Sequence, residues 1–236
     1  MNPAQWTVGE RTRSRPLRFM LATANRHKRR EFALILAPHE VLPMPRGVVL
    51  PPEGTESFAA NAMAKARALR EAVLGSVTGT PAGDAAADSD SPRERETAPG
   101  FYIADDSGLE VEALDWAPGV ISSRYSGREG DDRANIDKLL AALAPVSEEA
   151  ARRARFVCEL ACVAADGAET AVRGEWWGRI AGSPQGDGGF GYDPVFVPDG
   201  SDLTVAQLPD EAKNRASHRA RAARALLARL SVDGRL

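Results

Sequence analysis

Cysteine is scarce: the 236 residues contain two, Cys158 and Cys162, both within FVCELACVA. A disulfide framework needs more. In a strand their even spacing puts both on one face, so they read as small apolar core residues. No histidine or further cysteine lies close enough to make them a metal pair. The three histidines, His27, His39 and His218, sit in unrelated segments without ligand spacing. Basic excess is also missing. A formal net charge of −3 gives no electrostatic footprint for DNA or a membrane surface, so a nucleic-acid-related ligand would be a nucleotide, not a polymer. No apolar run is long enough to span a bilayer, and the polar start MNPAQWTVGERTRSRP lacks the apolar centre of a secretory signal. These absences predict a cytoplasmic protein that binds neither a nucleic acid polymer nor a membrane.

What is present suits an enzyme-sized core. Apolar residues make up 43% of the chain, and the length fits one domain with insertions. Residues 1–15 read as a disordered extension and 16–236 as a single domain. LRFMLAT (17–23) predicts a first strand, and HKRREFALILA (27–37) a helix with Phe32, Ile35 and Leu36 at helical spacing. Pro43, Pro45, Pro51 and Pro52 break any helix after it. A second helix is expected over 57–74, with Phe58, Ala62, Ala66, Leu69 and Val73 on one face. Residues 75–100 hold almost nothing large and apolar, and read as a flexible insertion. FYIADDSGLEVEAL predicts strand, turn, strand. DDRANIDKLLAAL (131–143) predicts a helix, and 154–180 a hairpin turning at Asp166-Gly167. A last helix is expected over about 215–230, burying Leu226, Leu227 and Leu230. The order of elements indicates an α/β fold.

Five segments carry polar residues in patterns that suit chemistry. In ATANRHKRREF, a strand ends and a helix opens with Lys28 in its first turn. Helix N-termini bind anions, which makes Thr23, Asn25 and Lys28 phosphate candidates; an ordinary N-cap explains the same pattern. In PPEGTESFAANAMAKARA, Glu53 is a loop carboxylate suited to Mg²⁺, and Lys65, two turns into the helix, is a phosphate candidate; an acidic loop and a surface lysine explain each alone. Asp105-Asp106-Ser107-Gly108 places paired carboxylates at an expected turn. They can ligate one cation together, or one can ligate while the other activates water; an Asx-type turn is the alternative. Gly108 would let backbone approach a ligand. In GGFGYDPVF, Phe190 and Tyr192 stand among glycines, as base-stacking aromatics do, and Asp193 can accept from a purine N–H; a hairpin with a core aromatic fits equally. In KNRASHRARA, Lys213, His218 and Arg219 begin the last helix, where a His-Arg pair can donate to a carbonyl oxygen; a helix cap or surface residue is the alternative for the histidine.

Taken in order, ATANRHK, FAANAMAKA, ADDSGLEVEAL with APGVISSRYSG, GGFGYDPVF and EAKNRASHRARA resemble the noncanonical purine nucleoside triphosphate pyrophosphatases, the inosine triphosphate pyrophosphatase family. The resemblance spans about 17–230. It implies an elongated α/β protein with a central mixed sheet flanked by helices, in two lobes around a nucleotide cleft. It implies a homodimer, and Mg²⁺-dependent hydrolysis of ITP, dITP or XTP to the monophosphate and pyrophosphate. Residue by residue it implies a phosphate loop of Thr23, Ala24, Asn25, Arg26, His27 and Lys28, with Lys65 as a second phosphate contact. It makes Glu53, Asp105 and Asp106 the metal carboxylates, Asp106 the general base and Ser107 a substrate contact. The base pocket would be Phe190, Gly191, Tyr192, Asp193, Lys213, His218 and Arg219. Pyrophosphatases of pyrimidine or modified-pyrimidine triphosphates, and a nonhydrolytic nucleotide sensor, are the competing readings.

Overall fold

The computed structural model describes residues 16–78, 99–148 and 151–236. The 1–15 extension, and residues 79–98 of the expected insertion, lie outside the described residues. Residues 75–78 do not begin a flexible segment as expected. They continue the second helix, α2, which runs Phe58–Thr78.

Six strands form one mixed sheet in the order β2-β1-β3-β4-β5-β6. β1 (Arg18–Leu21) lies parallel to both β2 (Glu40–Pro43) and β3 (Phe101–Val111). β4 (Arg153–Ala164), β5 (Glu169–Ile180) and β6 (Phe196–Pro198) add on antiparallel. β2 falls in the proline-rich stretch. Proline excludes helix there, and it is tolerated at the end of this edge strand.

β3 corrects the sequence reading at its centre. Ser107-Gly108 does not turn. All eleven residues pair with β4, from Phe101 opposite Ala164 to Val111 opposite Ala154. Successive side chains of a strand point to opposite faces. Phe101 and Ile103 accordingly pack with Phe32 of helix α1 (Arg26–Ile35) and its C-cap Leu36, and with Ala222, Leu226 and Leu230 of helix α5 (His218–Val232). Tyr102 and Ala104 pack with Ala62, Ala66 and Leu69 of α2 on the other face. Cys158 and Cys162 are free and buried in the α1/α5 cluster, on one face as expected.

The long strands carry the sheet into a third cluster. There Leu109, Val111, Phe156 and Trp176 meet Ile136 and Leu139 of helix α3 (Asp132–Ala142) and its C-cap Leu143; the N-cap Asp131 accepts the Ala134 N–H. The expected last helix is two. α4 (Asp210–Ala216) ends at Ser217, which is extended and whose hydroxyl caps α5 through the Ala220 N–H. No helix among the described residues is long and apolar enough to cross a membrane.

Candidate active site

A cleft of about 380 Å³ opens between the third cluster and the other two, a volume in the range of small-molecule sites. One wall is the β1–α1 turn, where Asn25 is the N-cap. Its side chain accepts the His27 N–H at 2.9 Å and the Lys28 N–H at 3.1 Å, while its own N–H donates to Thr23 Oγ1 at 3.1 Å. Two of the helix amides expected to take phosphate are thus already satisfied. The group this turn offers a ligand is the Lys28 ammonium, which projects beside Thr23, Ala24 and Asn25 into the cleft. Arg26 opens the helix but does not line it.

Asp105 and Asp106 follow the alternation of β3. The Asp105 side chain is fully buried on the α1/α5 face. Its Oδ2 lies 2.9 Å from Lys28 Nζ and 3.6 Å from Arg219 Nε, and accepts the Ser107 hydroxyl at 2.7 Å. Burial alone would push this carboxyl up, but the Lys28, Arg219 and Lys65 cations hold it well below the usual carboxylate range. Asp105 does not line the cleft, and no group of three metal-ligating side chains exists among the described residues. The expected trio of Glu53, Asp105 and Asp106 is therefore not assembled. A turn would have let both aspartates face one cation, whereas a continuous strand parts them.

Asp106 faces α2 and lines the cleft. Its Oδ2 accepts from Asn61 Nδ2 at 2.8 Å, and its Oδ1 lies 3.9 Å from Lys65 Nζ. Burial and the nearby Glu53 charge outweigh Lys65 and the Asn61 bond, and raise its pKa to about 6. Lys65 donates to Glu53 Oε1 at 2.8 Å and to the Asp105 carbonyl at 2.8 Å. The Asp105, Asp106 and Glu53 carboxylate charges overcome its burial and keep it charged. Glu53 remains 30% exposed at the cleft, with Arg124 at 3.5 Å. Gly108 lines the cleft, and its lack of a side chain also serves packing: a Cβ there would lie 2.6 Å from the Gly119 carbonyl oxygen and 2.8 Å from Phe58 Cζ.

At the opposite end, Phe190 projects from the glycine loop. Its ring stacks on His27 at 5.2 Å, and Lys213 and Arg219 stand 4.7 and 5.1 Å from its centroid. Asp193 is buried, taking Lys213 Nζ at 2.6 Å and the Phe190 N–H at 2.9 Å. The loop is anchored below, where the Gly191 N–H donates to Asp132 Oδ2 and the Tyr192 hydroxyl to the Ser122 carbonyl. Tyr192 is buried with its hydroxyl in that bond and still lines the cleft, while Phe190 makes the ring contacts with His27, Lys213 and Arg219. His218 stacks on Phe156 at 4.9 Å. Burial first, then the Arg219 and Lys213 cations, push its pKa well below the usual histidine range and keep it neutral. His27 and Lys213 line a smaller recess behind Phe190.

Three partners escaped sequence reasoning. Asn61 lies one helical turn before Lys65, in the same FAANAMAKA motif. Glu31, one turn after Lys28, holds Lys213 at 2.7 Å and Arg219 at 3.0 Å. Arg124 reaches Glu53 from the segment after Pro118. Spacing i, i+3 or i, i+4 from a recognised lysine was the available signal for the first two. Arg124 had none.

A model of the Ham1 family matches residues 19–229. The chain is 49% identical over 181 residues to a dITP/XTP pyrophosphatase of Nocardia farcinica, covering 77% of this chain and 75% of the relative. It is 41% identical over 216 residues to a dITP/XTP pyrophosphatase of Streptomyces coelicolor, covering 89% and 95%. Among solved structures, the Ham1 protein of Staphylococcus aureus aligns with a TM-score of 0.71 at 32% identity, over 92% of this chain and 99% of that one. With the same mixed sheet and five motifs in order across nearly the whole match, this chain belongs to the Ham1 family.

Proposed function

We propose that this chain hydrolyses the α–β phosphoanhydride of noncanonical purine nucleoside triphosphates, ITP, dITP and XTP, releasing the monophosphate and pyrophosphate. The observation that carries the reading is the cleft itself. A carboxylate with a pKa near 6 sits beside two lysines at one end, and a buried array of hydrogen-bond donors around an aromatic ring sits at the other. The relatives' names give the substrate class.

Glu53 and Asp106 offer hard carboxylate oxygens on the cleft wall, the donor type Mg²⁺ prefers, with phosphate oxygens and water completing its shell. Two such carboxylates fit this cation, and when bound it neutralises charge on the phosphates. Lys28 and Lys65 bind phosphate oxygens. Asp106 takes the proton of the water whose oxygen bonds to the α-phosphorus. The bond from that phosphorus to the bridging oxygen breaks, and pyrophosphate leaves. A base with a pKa near 6 is mostly ionised at neutral pH yet still basic enough to accept that proton.

Phe190 supplies the stacking face for the base. Arg219 and neutral His218 donate to O6 of hypoxanthine or xanthine, and adenine presents a 6-amino donor there instead. Donors left unpaired by the wrong base reject it by a factor of about 10⁴. Asp105 lies outside the metal shell in this scheme and holds Lys28 and Arg219 in place. Residues 16–236 act as one catalytic unit, and the working assembly is the homodimer that the resemblance implies. Light scattering of the purified protein checks the assembly.

Pyrophosphate release with Mg²⁺ is the deciding assay, comparing ITP, XTP, GTP and ATP. Release from ITP and XTP with little from ATP and GTP supports the scheme. Orthophosphate as product, or equal rates on all four, sinks it.

A further inference from the structure

Asn61 joins the two cleft carboxylates through one planar amide. Its Oδ1 accepts the Gly54 N–H at 2.8 Å, and its Nδ2 donates to the Gly54 carbonyl at 3.2 Å. The other Nδ2 hydrogen goes to Asp106 Oδ2 at 2.8 Å. Gly54 directly follows Glu53, so the amide grips the backbone next to one carboxylate and an oxygen of the other. All three bonds are buried or partly so, and Asn61 itself is buried.

The orientation of the amide is forced. Gly54 offers one donor and one acceptor, and a flipped amide would set its oxygen against both the Gly54 carbonyl and a carboxylate. The Gly54 backbone therefore dictates that Asn61 presents N–H, not C=O, to Asp106. A loop that needed only an anchor would be satisfied by the two Gly54 bonds. The third bond fixes the rotation of the reacting group and its spacing from the Glu53 loop.

We propose that Asn61 is a positioning residue for hydrolysis, orienting Asp106 and setting its distance from Glu53. The inference rests on the assignment of Asp106 and Glu53 above. Asn61→Ala and Asn61→Asp separate its two jobs. Alanine removes all three bonds. Aspartate keeps an acceptor for the Gly54 N–H but turns a carboxylate oxygen toward Asp106.

Two readouts are taken: steady-state kinetics on ITP with saturating Mg²⁺, and amide hydrogen exchange at Gly54 by NMR with neither metal nor nucleotide present. In Asn61→Ala, kcat should fall about 100-fold, the scale of an ångström-sized misplacement, with KM within about threefold. Gly54 exchange should quicken at least about tenfold while Ala62–Leu69 stay protected. In Asn61→Asp, kcat should fall as far although Gly54 stays protected. Wild-type kcat in Asn61→Asp overturns the proposal, as does a KM rise that matches the kcat loss. If Asn61→Ala does not fold, Asn61→Asp decides alone. Absence of pyrophosphate release by the wild-type protein would instead sink the hydrolase reading, and the exchange result would still show whether Asn61 holds the Glu53 loop.

Discussion

On the face of β3 that meets α1 and α5, the Asp105 carboxylate is fully buried, between Lys28 and Arg219. On the face that meets α2, the Asp106 carboxylate has a neutral amide at hydrogen-bond distance and its lysine 3.9 Å away. The two residues share a residue type and adjacent positions, and β3 alternation alone decides which environment each meets. Surrounded by cations, Asp105 stays ionised and poorly basic. With less compensation for its burial, Asp106 rises to about 6. Neighbouring carboxylates whose environments drive their pKa values apart take different roles: in the proposed scheme, one scaffolds charge and the other moves a proton.

Exchanging either carboxylate for an amide tests that division, and the largest effect belongs to Asp106→Asn. An amide cannot accept the proton, so kcat on ITP should fall about 10³-fold, within the usual range for a general base, while KM moves less than about threefold. Asp105→Asn should give the reverse pattern. It leaves buried Arg219 and half-buried Lys28 short of a counter-charge, so stability in urea should drop by about 3 kcal/mol. KM for ITP should rise about tenfold through a loosened Lys28 and Arg219, with kcat changed less than about fivefold. Equal kcat losses in the two variants would mean both aspartates act on one centre, and the comparison would fail.

A smaller effect should come from Glu31→Gln. Glu31 is the one carboxylate that touches both Lys213 and Arg219 among the described residues. These cations retain Asp193 and Asp105, so the fold should survive. Their positions against Phe190 should loosen, and the preference for ITP over ATP in kcat/KM should narrow about tenfold, equivalent to about 1.4 kcal/mol. An unchanged preference would place base selection elsewhere than Arg219 and Lys213.

The same alternation explains what the sequence could not disclose. Period-two patterning identifies a strand when polar residues mark its solvent face, but β3 is covered on both faces and carries its charges inside. Asp-Asp-Ser-Gly therefore looks like a turn. Only the eleven-residue pairing with β4, a contact between distant segments, overrides that local preference. Ser217 hid the break between α4 and α5 for the opposite reason. The Ala/Arg-rich sequence around it propagates helix well, so one helix was expected across the N-cap serine. The site's recognised residues were legible because they cluster in short motifs: of those, the structure brings most of the phosphate loop, Glu53, Lys65, Asp106 and the glycine loop to one cleft. Glu31 and Asn61 were harder to read because their roles exist only through partners about 180 and 45 positions away.

The smallest expected effect concerns His218, the neutral member of the otherwise charged base end. Its pKa in the folded protein lies well below 6.5, because burial and then Arg219 and Lys213 oppose a second proton, with Asp105 offsetting them only in part. In the unfolded chain it titrates near 6.5. Below that pH the unfolded state binds a proton that the native state refuses, so stability falls as pH falls. The decline begins near pH 6.5 and continues down to the depressed folded value. His218→Asn removes this one contribution and leaves other groups in place. Urea unfolding at pH 7.5, 6.5 and 5.5 should show the wild type losing ground to the variant by about 1 kcal/mol per unit below 6.5, near the limiting slope for one proton. Parallel profiles would mean that His218 takes up a proton in the folded protein as readily as in the unfolded chain. It would then present two donors to the base, and the contrast between a cation-rich end and a neutral imidazole within it would have to be redrawn.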